Sequence, residues 1–485
     1  MSIVGWVIIG LLILNTIGAI FTVLREVRDI PTTWAWLLVL IFLPVIGFGI
    51  YLFAGRGLSS KKLEQIRAEY RKGVHAFVAL QKRENAHGRL LPENSTAPGA
   101  QELATLLLNT DQAPVLANDE VHIFTDGQEK FAQLFADIDA AKDHVFVEYY
   151  TIYNDELGNE LQRHLVAKAK EGVDVKVLYD AWGSLGASAR WWQPLADAGG
   201  KAETFFSSRH LILDFRLNYR LHRKIVVIDD KIGFIGGFNV GDQYVGRDKK
   251  FGYWRDTHLR IIGATALALK VQFLMDWNAT VPDDQMVPYQ VENVQPEHLA
   301  ERGHLPMQIV ASGPDTMAQQ IKFGYAKMIS AARHSVWLQT PYLIPDDTML
   351  DALISAALAG VDVRVMIPDM PDHPFIFRAS QYYARLLVES GVKIYHYQNG
   401  FLHAKTMVVD GRYASVGSAN FDIRSFKLNF EVNAFLYDEG LAKELQTIFE
   451  ADLKESLELT PAIIAQQGRW LRFKQDFSRL LSPIL

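Results

Sequence analysis

Two long apolar runs open the chain and contrast with the alternating pattern that follows. Ile3–Leu24 and Thr33–Ala54 contain no charged residue, and each is as long as the roughly 20 residues that a helix needs to cross the hydrocarbon layer of a membrane. A cleaved signal peptide is disfavoured, because no basic residue precedes the first run and a second run follows at once. The pattern therefore predicts a transmembrane helical hairpin over residues 1–58.

Basic residues are distributed unevenly around this hairpin. Arg25 and Arg28 are the only basic residues in the gap between the two runs. Soon after Ala54 come Arg56, Lys61, Lys62, Arg67, Arg71 and Lys72. Because Lys and Arg near the ends of a span stay on the cytoplasmic side, we expect everything after Ala54 to lie in the cytoplasm.

The segment after the hairpin shows no sequence pattern of a separate folded domain. Residues 59–115 begin with a charged helical pattern and pass into the loop-like stretch PENSTAPGAQ. Such a change from helical periodicity to turn-forming residues is typical of a linker. We predict a membrane-proximal connector over this range.

Beyond the connector, one α/β pattern occurs twice. The first copy reads HVFVEYYTIYND, ELGNELQRHLVAKAKEG and VDVKVLYD, and the second reads SVWLQTPYLIPDD, TMLDALISAALAG and VDVRVMIPD. In each copy the periodicity predicts a strand, a helix and a strand, and this alternation favours a sheet flanked by helices. A Pro- and acid-rich stretch near residue 300 separates the copies. We therefore expect two domains, residues 116–300 and 301–485, packed as a pseudo-symmetric pair.

Composition and charge exclude several classes of chemistry. The chain has 485 residues, which is more than one hydrophobic core accommodates. Its net charge of −6 provides no basic field for nucleic acid, so no nucleic-acid partner is expected. The absence of Cys excludes thiolate nucleophiles and Cys-ligated zinc. The histidines show no HExxH or clustered spacing, so we expect neither a metal nor another cofactor.

The candidate chemistry lies in an H-x-K-x4-D motif at the same place in both copies. The motif residues are His222, Lys224 and Asp229, and His403, Lys405 and Asp410. Both motifs lie in strand-like sequence, where residues two apart share a face, so each imidazole has an ammonium beside it. This arrangement suits an anionic phosphate substrate, with the imidazole as nucleophile or proton carrier. The aspartates stand at the strand end, and Asp410-Gly411 is a hairpin-turn signal, which favours a framework role for them.

Small residues and an Asn follow each motif. The two stretches are Gly236-Gly237-Phe238-Asn239 and Gly417-Ser418-Ala419-Asn420. Small residues allow backbone and Asn donors to approach a phosphate closely. Gly237, Asn239, Ser418 and Asn420 are therefore candidate substrate-binding residues.

An acidic residue opens the next strand of each copy. These acids are Asp256 after His222 and Glu431 after His403. A carboxylate that accepts a hydrogen bond from one imidazole nitrogen fixes the tautomer and leaves the other nitrogen as nucleophile or base. We expect the two acids to support the two histidines in this way.

These residues resemble the phospholipase D superfamily, and the chain as a whole resembles the bacterial cardiolipin synthases within it. The resemblance runs from the hairpin through both motifs and the stretch FGYWRDTHLR to the C-terminal RLLSPIL. It implies an α/β fold of two phospholipase D-like domains, each a mixed sheet flanked by helices, in a pseudo-two-fold arrangement after the transmembrane hairpin. It also implies a multi-pass protein of the bacterial inner membrane.

The same resemblance implies a phosphatidyl transfer in two steps. One histidine attacks the phosphorus of phosphatidylglycerol to form a phosphatidyl-histidine, while the other protonates the departing glycerol. The second histidine then removes a proton from a hydroxyl of a second phosphatidylglycerol, which takes the phosphatidyl group to give cardiolipin. No metal or cofactor takes part, and the family's usual assignment makes His222 the nucleophile.

Other functions fit parts of this pattern. A phospholipase D would pass the phosphatidyl group to water, and a phosphatidylserine synthase-like enzyme would use another acceptor. A nuclease of the superfamily is disfavoured by the hairpin and the acidic balance, and a catalytically inactive membrane scaffold by the two intact motifs. The acceptor lipid, the acyl preference and the oligomeric state are left open.

Three further features carry expectations. His210, His258 and His373 are expected at the surface or in loops. Tyr149, Tyr150 and Tyr342 are expected either in the core or beside a lipid path. At the C-terminus, Trp470, Phe473, Phe477, Leu480 and Leu481 fall on one helical face, with Arg472 and Arg479 opposite. This pattern predicts either an interfacial helix or a helix docked on the protein core.

Overall fold

The computed structural model describes most of the chain after residue 98. The described ranges are 30–43, 46–51, 99–110, 112–205, 219–289, 303–314 and 318–482, with isolated residues and short pieces between positions 6 and 91 and at position 316. The first predicted span lies almost entirely outside them. In the second, the structure describes two helices, α1 (Ile30–Phe42) and α2 (Ile46–Ile50). Among the described residues, no helix has both the length and the apolarity that crossing a membrane requires.

The rest of the described chain alternates helices with strands. The further helices are α3 (Ala100–Thr110), α4 (Gly127–Ala140), α5 (Glu156–Lys170), α6 (Gln193–Asp197), α7 (Thr265–Thr280), α8 (Gln320–Ala331), α9 (Asp347–Leu358), α10 (Pro374–Glu389), α11 (Ile423–Lys427), α12 (Glu439–Leu453), α13 (Pro461–Ala465) and α14 (Arg469–Arg479). The strands of the first half are β1 (Leu116–Phe124), β2 (His144–Tyr149), β3 (Asp174–Tyr179), β4 (Lys201–Thr204), β5 (Lys224–Ile228), β6 (Ile232–Gly236), β7 (Trp254–Arg255) and β8 (His258–Gly263). The strands of the second half are β9 (Leu305–Ser312), β10 (Ser335–Gln339), β11 (Leu343–Ile344), β12 (Asp362–Pro368), β13 (Lys393–Tyr397), β14 (Phe401–Leu402), β15 (Thr406–Val409), β16 (Tyr413–Gly417), β17 (Phe421–Asp422), β18 (Glu431–Leu436) and β19 (Ser456–Glu458).

Fifteen of these strands form one mixed sheet that contains both halves. Its order is β19-β13-β12-β10-β15-β16-β18-β9-β1-β8-β6-β5-β2-β3-β4. Read outward from the antiparallel β1–β9 pair, the first half has the order β8-β6-β5-β2-β3-β4 and the second has β18-β16-β15-β10-β12-β13. The two orders correspond strand for strand, and β2–β3–β4 and β10–β12–β13 are the parallel parts. The predicted α/β fold with two similar mixed-sheet units is confirmed.

Local sequence explains where the main helices begin. Asp126, Asp155, Asp346 and Asp438 are the N-caps of α4, α5, α9 and α12, and each carboxylate accepts a hydrogen bond from a free backbone N–H of the first turn. Such caps satisfy donors that have no partner within the helix, and the negative charge lies at the positive end of the helix dipole. The caps thus place helix starts at the turns that follow strands.

Each half packs its helices over the strands around its own apolar core. In the first half, buried residues of α4, α5 and β2 form one cluster, and in the second half those of α8, α9 and β12 form another. The predicted connector also contributes, because Leu103, Leu107 and Leu108 of α3 are buried in the second cluster. Gln308 of β9 ties α3 to the sheet by donating to the carbonyl of Ala104. The end of the connector is therefore a packed helix.

Candidate active site

Short parallel pairings between the two halves bring the two motifs together. Strand β14, just before His403, pairs with β7, just before Asp256, and an isolated bridge joins Leu221 to Phe430. The backbone N–H of His222 donates to the carbonyl of Phe430 (2.9 Å), and that of His403 donates to the carbonyl of Arg255 (2.7 Å). Each motif histidine thereby lies beside the segment of the other half that carries an acid.

The acids are exchanged between the halves. His222 Nδ1 lies 2.9 Å from Glu431 Oε2, and His403 Nδ1 lies 2.7 Å from Asp256 Oδ2. Both carboxylates are completely buried. A carboxylate at Nδ1 holds the proton there and leaves Nε2 with a free lone pair. The sequence identified these four residues, but each histidine is bonded to the acid of the other copy.

The two motif lysines lie against their histidines, as the two-residue spacing predicted. Lys224 Nζ donates to the carbonyl of His222 (2.6 Å), and Lys405 Nζ donates to the carbonyl of His403. Both lysines are fully buried. Each also acts electrostatically on the carboxylates of both halves, so the four basic groups and two acids form one centre.

Burial controls the charge of this centre. Loss of solvent lowers the pKa of His222 and of His403 to about 4, despite the opposing effect of their carboxylates. The same loss lowers the pKa of Lys224 to about 7 and that of Lys405 to about 8. Burial alone would raise the pKa of Glu431, but His222 and Lys224 outweigh it and hold that pKa below its usual value. At neutral pH the imidazoles are therefore neutral, which is the nucleophilic form.

Gly237 and Ser418 have the acids as neighbours. A Cβ atom at Gly237 would lie 2.0 Å from Asp256 Oδ1, so only glycine leaves room for that carboxylate. At the equivalent position, Ser418 Oγ donates to Glu431 Oε2 (2.6 Å). Glu431 Oε1 also accepts from Ser425 Oγ (2.9 Å) and Asn429 Nδ2 (3.2 Å). Gly237 thus leaves room for Asp256 in the first half, and Ser418 helps to hold Glu431 in the second.

The two candidate asparagines differ in their surroundings. Asn239 Oδ1 accepts from the backbone N–H of Thr151 (3.1 Å), and its Nδ2 donates to Tyr244 Oη (3.3 Å). Asn420 is equally buried, but its Oδ1 has no hydrogen-bond partner among the described residues. A buried polar atom without a partner is costly. The amide oxygen of Asn239 is thus held by a backbone N–H, whereas that of Asn420 has no such bond in the described part of the chain.

Asp229 and Asp410 lie in the tight turns that end β5 and β15. Asp229 accepts hydrogen bonds from the backbone N–H groups at residues 142–144, and Asp410 from those at residues 333–335. Both have positive φ, 53° and 54°, and Gly411 follows with φ 62°. Two successive positive φ values indicate the hairpin turn predicted from Asp410-Gly411. Each aspartate joins its turn to the start of β2 or β10.

The two sides of the centre differ in chemistry. On the His222 side, the ring of Tyr150 lies 5.1 Å away, and the cations of Arg220 and Arg424 are close enough to act on Tyr150 electrostatically. On the His403 side, the ring of Trp254 lies 5.2 Å away and Phe401 packs beside it. Two arginines thus accompany the aromatic ring beside His222, whereas two aromatic rings flank His403.

Sequence patterns missed several of these neighbours. Arg220 and Phe401 stand two residues before the motif histidines, so the strand spacing that linked histidine to lysine could have identified both. The expectation for His258 was wrong, because it is completely buried on β8. His210 lies outside the described residues. Tyr149 is a core residue, and its hydroxyl accepts a hydrogen bond from the buried Lys130 (2.8 Å). No local pattern distinguishes such buried polar residues from surface ones.

Two family models match the chain. The model described as "Cardiolipin synthase, PLD-like domain" matches residues 134–254 and 325–453. The model described as "Phospholipase D-nuclease N-terminal" matches residues 13–56. The first pair of ranges contains both H-x-K-x4-D motifs, and the second covers most of the predicted hairpin.

Whole proteins are similar over the full length. A protein of Listeria innocua named cardiolipin synthase is 48% identical over 485 residues, all of both chains. One of Staphylococcus aureus with the same name is 47% identical over 479 residues, 99% of this chain and 96% of the other. Among solved structures, phosphatidylserine synthase of Haemophilus influenzae aligns with a TM-score of 0.61 over 79% of this chain and all of its own, at 17% identity. At that identity the likeness concerns the fold alone.

Proposed function

The chain belongs to the cardiolipin synthase family of phospholipase D-like proteins, and on that premise we propose that it joins two phosphatidylglycerol molecules into cardiolipin and glycerol. The membership predicted from the sequence is confirmed by the family model and by the full-length relatives. The observation that carries the chemistry is the buried centre where each motif histidine is bonded to a carboxylate of the other half. An enzyme that first takes up a phosphatidyl group and then passes it on needs two imidazoles. One attacks the phosphorus, and the other donates and removes protons.

In the first step, His222 Nε2 attacks the phosphorus of one phosphatidylglycerol. The P–N bond forms as the bond from phosphorus to the glycerol oxygen breaks, and His403 donates a proton to that oxygen. Glu431 stabilises the positive charge that develops on the His222 ring. The bound phosphodiester anion favours the protonated state of Lys224, Lys405 and one imidazole. Substrate binding is therefore accompanied by uptake of a proton from solvent onto His403, which then acts as the donor.

In the second step, a hydroxyl of another phosphatidylglycerol takes the place of the departed glycerol. His403, now neutral, removes the hydroxyl proton, the new P–O bond forms and the bond from phosphorus to His222 breaks. Asp256 holds the Nδ1 proton of His403, so Nε2 alternates between acid and base.

Product analysis tests this function directly. Purified enzyme is given phosphatidylglycerol as the sole lipid, and lipids and free glycerol are measured together. One cardiolipin and one glycerol for every two substrate molecules is the expected result. Phosphatidic acid and glycerol in equal amounts would instead identify a hydrolase, in which water takes the place of the acceptor lipid.

A covalent trap tests which histidine carries the phosphatidyl group. A His403→Ala variant lacks the proton donor for the leaving group, but a substrate analogue with a good leaving group does not require one. The variant should therefore form the covalent adduct and then fail to transfer it. Mass spectrometry should find the adduct on His222, with the phosphoramidate preserved at alkaline pH. The opposite result would be an adduct on His403 in the His222→Ala variant and no adduct on His222 in the His403→Ala variant. It would make His403 the nucleophile and His222 the proton carrier.

The proposed location is the bacterial inner membrane, with the catalytic halves in the cytoplasm. The match to the N-terminal family model and the two uncharged runs support a membrane hairpin over residues 1–58, and the excess of Lys and Arg after Ala54 supports the orientation. A reporter enzyme fused directly after Ala54 should be active only in the cytoplasm. Activity only outside the membrane would reverse this orientation.

A further inference from the structure

The apolar face of the C-terminal helix α14 is exposed. Trp470 is 67% exposed, Phe473 56%, Phe477 49% and Leu480 66%. The rings form a continuous stack, with centroids 5.3 Å apart between Trp470 and Phe473 and 6.4 Å between Phe473 and Phe477. A contiguous exposed apolar patch of this kind is unusual on a soluble surface and marks an interaction site.

The polar edge of α14 packs against the protein. Gln475 and Ser478 are each 1% exposed, Asp476 forms an ion pair with Arg385 of α10 (2.7 Å), and Arg479 donates to the hydroxyl of Tyr382. A surface helix of a soluble protein normally buries its apolar stripe and exposes its polar one. In α14 the orientation is reversed: the helix is docked on the protein, one of the two alternatives from the sequence, but by its polar edge, and its apolar face points outward.

The charges on α14 indicate what covers this face. Arg469 is exposed, and Lys474 Nζ lies 5.5 Å from the centre of the exposed Trp470 ring. The other two cations, Arg472 and Arg479, donate to the protein, at the carbonyl of Ile464 and the hydroxyl of Tyr382. The one acid of the helix, Asp476, is paired with Arg385. A second copy of the helix would bring like charges together, whereas an anionic lipid surface complements both the cations and the aromatic stripe. We propose that α14 is an interfacial helix that docks the catalytic halves on the surface of an anionic phospholipid bilayer. The choice of anionic lipid rests on the proposed function, in which phosphatidylglycerol is the substrate.

This docking surface lies near the active site. Arg385 pairs with Asp476, and Tyr382 pairs with Arg479. Helices α10 and α14 are therefore antiparallel, and the C-terminal end of α14 points toward the start of α10. Just before α10, Asp372 accepts a hydrogen bond from Tyr342 and acts electrostatically on Lys405. At a rise of about 1.5 Å per residue, Tyr382 is roughly 12 Å from the start of α10. Docking through α14 would therefore hold the catalytic centre near the lipid headgroups.

Spin labels can measure whether the face enters the bilayer. The chain has no Cys, so Phe477→Cys in the full-length protein gives a single labelling site. The matched control is Leu358→Cys, which is 74% exposed at the end of α9, where the chain enters the amino end of β12. In phosphatidylglycerol vesicles, we expect the label at 477 to be reached by oxygen and shielded from a water-soluble nickel chelate, and the label at 358 to show the opposite. Equal accessibility of the two labels to the chelate would overturn the proposal.

A functional comparison separates docking from catalysis. A Phe473→Ser/Phe477→Ser double variant should lose about tenfold or more of its rate on phosphatidylglycerol in vesicles, but keep its rate on dispersed short-chain phosphatidylglycerol below its micelle concentration. Leu358→Ser should match the wild type on both. An unchanged vesicle rate, or an equal loss on both substrates, would contradict the docking role. If the wild type forms no cardiolipin but the label at 477 is still shielded, the proposed function fails and the docking surface remains.

Discussion

At the scale of single residues, the carboxylate exchange between the halves defines the catalytic centre. In a His403→Ala background only His222 is left to react, and its partner is Glu431 (2.9 Å) rather than the acid of its own copy. We expect Glu431→Gln to slow adduct formation on His222 by about 100-fold, because the amide stabilises the developing imidazolium poorly. Asp256→Asn in the same background is the matched control and should have little effect, since its partner His403 is absent.

The measurement is the rate of labelling of His222 by the activated analogue, followed by mass spectrometry. A strong effect of Asp256→Asn combined with none of Glu431→Gln would mean that each histidine uses the acid of its own half in solution. Thermal unfolding of both double variants shows whether either loss reflects a damaged fold.

The charge state of the same residues predicts an unusual pH profile for kcat/KM, which reports the free enzyme. Protonation blocks the nucleophilic imidazole, and burial lowers the His222 pKa to about 4, so the acid limb should lie near pH 4 rather than near pH 6.5. The proton donor His403 also has a pKa of about 4 in the free enzyme, so kcat/KM should decline above that pH as fewer molecules carry the donor proton. As pH rises through about 7 and 8, Lys224 and Lys405 lose their charge, and kcat/KM should fall.

The alkaline limb of kcat should lie at higher pH than that of kcat/KM, because the bound phosphate anion raises the pKa of both lysines. Initial rates measured from pH 4 to pH 10 at low and at saturating lipid give both profiles. An acid limb near pH 6.5, the ordinary histidine value, would contradict the burial effect.

At the scale of elements, the motif aspartates connect turns to strands. Burial opposes ionisation of Asp229, but three backbone N–H donors outweigh it and hold its pKa below the usual value. Asp229→Asn keeps the positive-φ turn but loses the charged acceptor, and should lower the free energy of unfolding by about 1–2 kcal/mol. Asp230→Asn is the matched control, because Asp230 has the same backbone conformation and pairs with the side chain of Lys270 instead.

The sign of the pH dependence follows from the lowered pKa. The stabilising contribution of Asp229 is complete above its unfolded pKa of about 4 and is lost as pH falls through the lower folded value. Denaturation of both variants in detergent at pH 7 and pH 3 measures it. A loss of activity with unchanged stability would instead assign Asp229 a direct part in the chemistry.

At the scale of the whole molecule, a buried ion pair joins the two halves behind the site. Arg255 of the first half donates to both carboxylate oxygens of Asp452 in the second (3.1 and 2.8 Å), and its carbonyl accepts the N–H of His403. Asp452→Ala leaves a buried guanidinium unpaired and should cost about 3–5 kcal/mol of unfolding free energy, with a loss of activity because His403 shifts. Asp476→Ala breaks the exposed pair with Arg385 and should cost at most about 1 kcal/mol. If Asp452→Ala and Asp476→Ala are equally stable, the Arg255–Asp452 pair does not stabilise the association of the two halves.

Sequence alone predicted the features that depend on local pattern. The repeat of strands and helices, the H-x-K-x4-D motifs and the turn at Asp410-Gly411 all follow from side-chain alternation and backbone preference within a few residues. These patterns also identified the four residues of the two histidine–carboxylate pairs, and the motifs predicted the enzyme family that the relatives confirm. The prediction that both motifs lie in strands holds only in part: Lys224 begins β5 and the two aspartates lie in turns, but His222, His403 and Lys405 lie just before β5 and β15.

Tertiary structure alone decided how these parts combine. The exchange of Glu431 and Asp256 depends on backbone pairing between segments about 150 to 200 residues apart in the chain, and contacts at such separation leave no trace in local periodicity. His258 and Lys130 are buried because strands and helices from distant parts of the chain cover them, which their own flanking residues do not reveal. The C-terminal pattern predicted an amphipathic helix, but only its packing on α10 showed that the polar edge is buried and the apolar face is exposed, since one stripe pattern is compatible with either orientation.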